Sequence, residues 1–152
     1  MGRTDRVSLA MKAGPERVYA AFTDRAALET WLPPPEMECT VLAMDLRPGG
    51  ELRMIMRYLN ASANPGKSTD DTDVVVSRIV DVVPGERIVQ AVEFEAADPE
   101  FAGSMTMAWS ISPTPGGSLV EFRADDVPAG ISVEDHQLGM SASLHQLAAY
   151  LG

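Results

Sequence analysis

The chain has 152 residues, 45% of them hydrophobic and 22% charged, with a formal charge of −10. That length fits one domain with a sizeable core, and the acidity argues against a nucleic-acid backbone or an anionic membrane as main partner, because both reward clustered Lys and Arg. No apolar run approaches the ~20 residues that span a bilayer, nothing near Met1 resembles a secretory signal, and the lone Cys39 fits a reducing cytoplasm.

Residues 5–12 alternate, with Val7, Leu9 and Met11 on one face, and predict a half-buried strand. Gly14-Pro15 breaks it and opens a short helix carrying Val18 and Phe22 at i, i+4. A second short helix follows Thr23-Asp24, with Leu28, Trp31 and Leu32 on one side. Pro33-Pro34-Pro35 ends it, since proline lacks the amide donor. From Glu38 to Ala124 the period is two, predicting strands over 38–46, 50–59, 74–83, 86–96, 104–112 and 118–124. Turn signals at Pro48-Gly49-Gly50, Pro84-Gly85 and 113–117 separate several of them, so the strands should be antiparallel neighbours. The segment 60–73 reads as a long loop, a lid or plain disorder.

Ser132 and Asp135 are spaced as a capping box. Val133, Gln137, Met140, Leu144, Leu147 and Leu151 then form one helical stripe. Twenty residues at ~1.5 Å each give about 30 Å of helix, and only this element is long enough to cover a seven-stranded sheet. No repeat or linker divides the chain, so residues 1–152 read as one α+β domain.

Several motifs then become informative in order: Gly14-Pro15-Glu16-Arg17-Val18-Tyr19-Ala20-Ala21-Phe22-Thr23-Asp24, then Leu28 and Trp31, then Asp45-Leu46-Arg47-Pro48-Gly49-Gly50. Residues 80–89, including Asp81, Pro84-Gly85 and Arg87, and the terminal 135–144 complete the set. Together they resemble the helix-grip superfamily (START-like, SRPBCC), which includes polyketide cyclases and the birch-pollen allergen family. The resemblance is strongest to the branch named after the activator of the heat-shock protein 90 ATPase. It implies a curved antiparallel sheet gripping a C-terminal helix around an apolar cavity. The chain departs from that pattern at Met140, where the family usually has tryptophan, and in the length of 60–73.

Catalytic chemistry finds no support. Gly139-Met140-Ser141-Ala142-Ser143 lacks the last glycine of a nucleophile elbow and reads as mid-helix. His136 and His145 stand about 180° apart on the predicted helix at ~100° per residue, so they cannot share a metal. His136 is either a surface or capping residue or a polar group at the cavity mouth, and His145 should face solvent. Asp70, Asp71 and Asp73 lack the spacing of a calcium loop. Glu93 and Glu95 share an outward strand face, and Cys39 has no neighbouring cation to activate it. No catalytic residue, metal site or cofactor is assigned.

The alternation yields an inner face: Leu52, Met54, Met56 and Tyr58; Ile88, Gln90, Val92 and Phe94; Met105, Met107, Trp109 and Ile111; Val120 and Phe122. The candidate cavity comprises Trp31, Met54, Met56, Tyr58, Gln90, Val92, Phe94, Met105, Met107 and Trp109, facing Met140, Leu144 and Leu147 of the helix. Five of nine methionines lie here. Methionine adapts to irregular apolar space, which suits a ligand pocket and plain core alike. Tyr58 and Gln90 on this face must bond to each other or to water, or orient a ligand.

Three functions follow. The first is binding of a small apolar or amphipathic molecule. The second is a cyclase- or hydrolase-like enzyme using Tyr58, Gln90 or His136 in the same cavity. The third is a co-chaperone-like module, against which stands the lack of room before residue 5 for the namesake's N-terminal domain. The expected setting is the cytoplasm, without nucleic-acid or membrane partners, and a homodimer stays open.

Overall fold

The computed structural model describes residues 3–59, 72–94 and 103–152; the side chains of Tyr58, Thr72, Asp73, Glu93 and Phe94 lie outside the described part. The first strand, β1, spans Arg3–Met11 and turns Asp5, Val7, Leu9 and Met11 inward. Pro15 then takes the first position of helix α1, Pro15–Thr23. Asp24 ends α1 and caps α2, Arg25–Trp31, its carboxylate accepting from the amides of Ala26 and Ala27. Six strands follow: β2 Met37–Met44, β3 Glu51–Tyr58, β4 Thr72–Val83, β5 Arg87–Phe94, β6 Gly103–Thr114 and β7 Gly117–Val127. Helix α3, Val133–Leu151, closes the chain.

The seven strands form one antiparallel sheet in the order β1-β7-β6-β5-β4-β3-β2, so β1 and β2 are its edges. At the β2 edge the Glu29 carboxylate of α2 accepts from the Val41 amide at 2.8 Å, which gives that strand's outer rim a partner. Three register shifts bend the sheet. Leu42 is the extra residue of β2 opposite β3, and Val80 that of β4 opposite β5. On β7 the extra residue falls at Asp125-Asp126, where Asp126 takes φ 60°. Ala124 and Val127 both face inward as a result. The shift explains why alternation predicts an end at 124 while the strand runs on to Val127: period two fails at a bulge.

Helix α3 packs mainly on β1. Its 19 residues reach ~28 Å at 1.5 Å each; it covers β1 and reaches β7, while α1 packs on β6 and β7 and α2 beside β2. Ser132 caps it by accepting from the Asp135 amide at 3.1 Å, while the reciprocal half of the expected capping box is not formed among the described residues. The expected stripe also begins elsewhere. Val133 and Gln137 are exposed, and the inward row is His136, Met140, Leu144, Leu147 and Leu151. The polar His136 leads this row because the buried Asp5 of β1 faces it. His145 faces solvent as expected. Among the described residues no helix is long and apolar enough to cross a membrane. The predicted loop 60–73, with Asp70 and Asp71, and Glu95 lie outside the described residues, apart from the backbone of residues 72 and 73.

Candidate functional site

A cavity of about 320 Å³ lies between the sheet and the two short helices. Its floor is the inner face of the central strands: Leu52, Met54 and Met56 of β3, Val75 and Ser77 of β4, Ile88 and Gln90 of β5, Met107 and Trp109 of β6, and Phe122 of β7. Phe22 of α1, Leu28 and Trp31 of α2 and its C-cap Leu32 form the opposite wall, continued by Pro34 and Met37. Leu46 and Ser143 complete it. Among the described residues no ionisable side chain lines this space.

Local sequence explains each wall. Leu46 is presented by the tight turn from β2 to β3, in which Gly49 has φ 88° and a Cβ on Gly50 would overlap the Asp45 carbonyl. That turn is tied to β4 by two backbone bonds, Gly49 N–H to Ile79 O at 2.9 Å and Ile79 N–H to Gly50 O at 2.8 Å. Outside it, Arg47 grips Asp45 through both carboxylate oxygens. Hydrogen bonding to Arg47 holds the Asp45 carboxyl below its ordinary range.

The α2 wall is anchored by α3. Gln146 Nε2 donates to the carbonyls of Trp31, Leu32 and Pro33 at 2.8, 3.2 and 3.1 Å. The proline run that follows α2 offers no amides to these carbonyls, and the Gln146 side chain supplies the donor. Sequence reasoning overlooked Gln146; its position one residue before the apolar Leu147 in the inner stripe was the available signal.

Four rings meet in the cavity. Trp109 stacks on Phe122 at 3.7 Å between centroids, while Phe22 stands edge-on to Trp31 at 5.1 Å. Trp31 is held further by its indole N–H, which donates to the Ala21 carbonyl at 2.9 Å. The floor's two polar side chains bond to each other: Gln90 Nε2 donates to Ser77 Oγ at 3.2 Å, and Ser77 Oγ to the Leu52 carbonyl at 3.5 Å.

Of the sequence candidates, the structure brings Trp31, Met54, Met56, Gln90, Met107 and Trp109 together on the cavity wall. Val92, Met105, Met140, Leu144 and Leu147 are buried but sit outside that wall. The three helix residues pack in the core because α3 lies over the β1 side, so Met140 is a core residue rather than a cavity determinant. Tyr58 and Phe94 lie outside the described residues as side chains. His136 is not on the cavity wall: its Nδ1 is 2.7 Å from Asp5 Oδ2, at the foot of α3. Arg3 contacts the same carboxylate at 2.9 Å. Burial alone would push the Asp5 carboxyl up; the hydrogen bonds and charges of Arg3 and His136 outweigh it and hold the group below its usual value.

The residues that sequence reasoning missed on this wall are mainly Phe22, Leu28, Leu32, Pro34, Met37, Leu46, Val75, Ser77 and Ser143. Most come from α1, α2 and the connections, whose facing partner no periodicity specifies. Cys39 lies beside the cavity, its Sγ 3.7 Å from Met54 Sδ. Burial, with the Glu29 carboxylate nearby, pushes its thiol up to about 11. It is a core residue without nucleophilic character.

Comparison with known proteins adds to this geometry. The model of a family described as activator of Hsp90 ATPase homolog 1-like protein matches residues 12–152. A crystal structure of a protein from Chromobacterium violaceum is 33% identical, with a TM-score of 0.82 over 97% of this chain and 96% of that one. A crystal structure of a protein from Mesorhizobium loti is 17% identical, with a TM-score of 0.76 over 98% and 96%. The solution structure of an AHSA1-like protein from Aeromonas hydrophila is 15% identical, with a TM-score of 0.78 over 98% and 92%. The last two share the fold alone. No curated protein matches the sequence.

Proposed function

The chain belongs to the family of activator of Hsp90 ATPase homolog 1-like proteins, and from that premise we propose that it binds a small, mainly apolar molecule between the sheet and the two short helices. The observation that carries this reading is the cavity itself, about 320 Å³ and walled almost wholly by apolar and aromatic side chains. Its size falls at the lower end of the ~300–1,000 Å³ typical of ligand pockets. Three polar aliphatic side chains, Ser77, Gln90 and Ser143, interrupt that wall, in keeping with recognition by few polar contacts on an apolar surround.

Native mass spectrometry of freshly purified protein, with displacement of an environment-sensitive apolar dye, tests the reading. The expected result is a dye complex that small apolar compounds compete away. A protein that takes up neither dye nor any compound, or an experimental structure with that space filled by side chains, would sink it.

The cyclase- or hydrolase-like alternative needed two of Tyr58, Gln90 and His136 to converge on one point. His136 instead pairs with Asp5, and Gln90 with Ser77, so no observation favours that alternative. The co-chaperone-like alternative rests on the family's name alone, and absence of any effect on a chaperone ATPase from the same source would remove it.

A further inference from the structure

The polar groups of the cavity wall have unequal standing. Trp31 donates its indole N–H to Ala21 O, Gln90 its amide to Ser77, Ser77 its hydroxyl to Leu52 O, and Ser143 its hydroxyl to Gly139 O at 3.2 Å. Trp109 differs. It is only 6% exposed, yet its Nε1–H has no acceptor among the described residues. No fully enclosed side-chain nitrogen or oxygen among them lacks a partner. The Trp109 indole nitrogen must therefore reach open space, and the space this residue borders is the cavity. A buried indole N–H without a partner is uncommon, because water is lost and nothing replaces it.

We infer that Trp109 Nε1–H is the polar anchor of the ligand, and that the ligand is an uncharged, largely apolar molecule carrying a hydrogen-bond acceptor oxygen such as a carbonyl. The inference rests on the binding reading above and sharpens it. The absence of charge follows from the wall: no ionisable side chain among the described residues faces the space, so a carboxylate or ammonium would be desolvated without a counter-charge. The acceptor follows from the donor that awaits it. Trp109 is itself held in place, stacked on Phe122 and flanked by Phe22 at 5.0 Å, so the donor is pre-positioned and little ordering is needed on binding.

The test uses three probes of matched shape, 2-ethylnaphthalene, 2-acetylnaphthalene and 2-naphthoate, titrated calorimetrically into the wild type and Trp109→Phe. Phenylalanine keeps a ring and removes the N–H. Comparing the acetyl and ethyl probes in both proteins cancels their different hydrophobicity. The acetyl probe should lose about 3- to 10-fold relative to the ethyl probe in Trp109→Phe, the worth of one net hydrogen bond. An unchanged ratio would overturn the anchor. Equal affinity of 2-naphthoate and the acetyl probe at pH 8 would overturn the requirement for an uncharged ligand. If Trp109→Phe fails to fold, the indole N–H resonances of the wild type supply the second readout. The acetyl probe should move the Trp109 signal downfield and the ethyl probe should not, with the Trp31 signal as internal reference; identical shifts with both probes would overturn the assignment. If the apolar dye binds but neither neutral probe does, the ligand class inferred here is overturned; if the dye fails as well, the binding reading falls and this inference with it.

Discussion

Gln146 Nε2 of α3 lies 2.8 Å from the carbonyl oxygen of Trp31, the last residue of α2 and part of the cavity wall. One amide thus joins two elements that meet the sheet at different places. The helix over β1 holds the short helix beside β2, whose Leu28 and Trp31 line the cavity.

Gln146→Leu removes the donor and leaves three carbonyls of the Trp31–Pro33 stretch to find water. The expected cost is about 1–2 kcal/mol, close to that of hydrogen bonds lost at partly buried acceptors, measured as a shift in the urea midpoint. Gln137→Leu on the exposed face of the same helix should change stability by less than about 0.5 kcal/mol. Affinity for 2-ethylnaphthalene should fall in the first variant and hold in the second. Equal behaviour of the two would mean that the joint does not shape the cavity.

Asp5 supplies a pH dependence whose sign is fixed by its environment. Its carboxyl titrates below its ordinary value in the folded chain because Arg3 and His136 bond to the ionised form. The unfolded chain binds its proton near the ordinary pKa of about 3.9. The resulting stability is therefore present above about pH 4 and is lost as pH falls through the lower folded value. Asp5→Asn should be less stable than the wild type by about 2 kcal/mol at pH 7, as for the loss of hydrogen bonds to a charged group. The difference should narrow below about pH 4 as the wild-type carboxyl protonates. Urea titrations of both proteins from pH 7 to 3 decide it; a gap that stays constant would show that the charge of Asp5 is immaterial.

What the sequence made legible and what it hid divide along physical lines. Local chemistry marked the boundaries: Pro15 opens α1, the proline run closes α2, Ser132 starts α3, and alternation located all seven strands. Alternation also put Met54, Met56, Gln90, Met107 and Trp109 on one face, and these do line the cavity. It stopped short where the period slips on β7, ending at Ala124 before the extra residue at Asp125-Asp126. It also failed wherever two elements had to be docked. Helical periodicity identifies Met140, Leu144 and Leu147 as buried but cannot say that they cover β1 rather than the cavity. The Asp5–His136 pair spans 131 residues of sequence, and no local pattern ties one partner to the other.

Cys39 should be inert in the folded protein. Burial lifts its thiol to about 11, so almost none is thiolate at pH 8, and the thiolate is the reacting species. Maleimide labelling followed by mass spectrometry should show no modification of the native chain over minutes, with one rapid addition in 8 M urea. Rapid native labelling would place the thiol in an exposed or charge-activated setting that the contacts with Met54 and Glu29 do not provide.

The Gln90–Ser77 pair gives an asymmetric prediction because its two members differ in what else they bond. Gln90→Leu leaves Ser77 Oγ its bond to the Leu52 carbonyl, whereas Ser77→Ala takes away the acceptor of the Gln90 amide. An enclosed donor without a partner costs about 1–3 kcal/mol, while replacing both partners by apolar groups is nearly neutral. Ser77→Ala should therefore be the most destabilised of the set, Gln90→Leu milder, and the double variant more stable than Ser77→Ala alone. The coupling energy from the full cycle should be about 1 kcal/mol. Since leucine also extends the apolar wall, Gln90→Leu should bind 2-ethylnaphthalene more tightly than the wild type. Strict additivity in the cycle would mean that the 3.2 Å contact contributes nothing to stability. Weaker binding by Gln90→Leu would mean that the amide, and not only Trp109, meets the ligand.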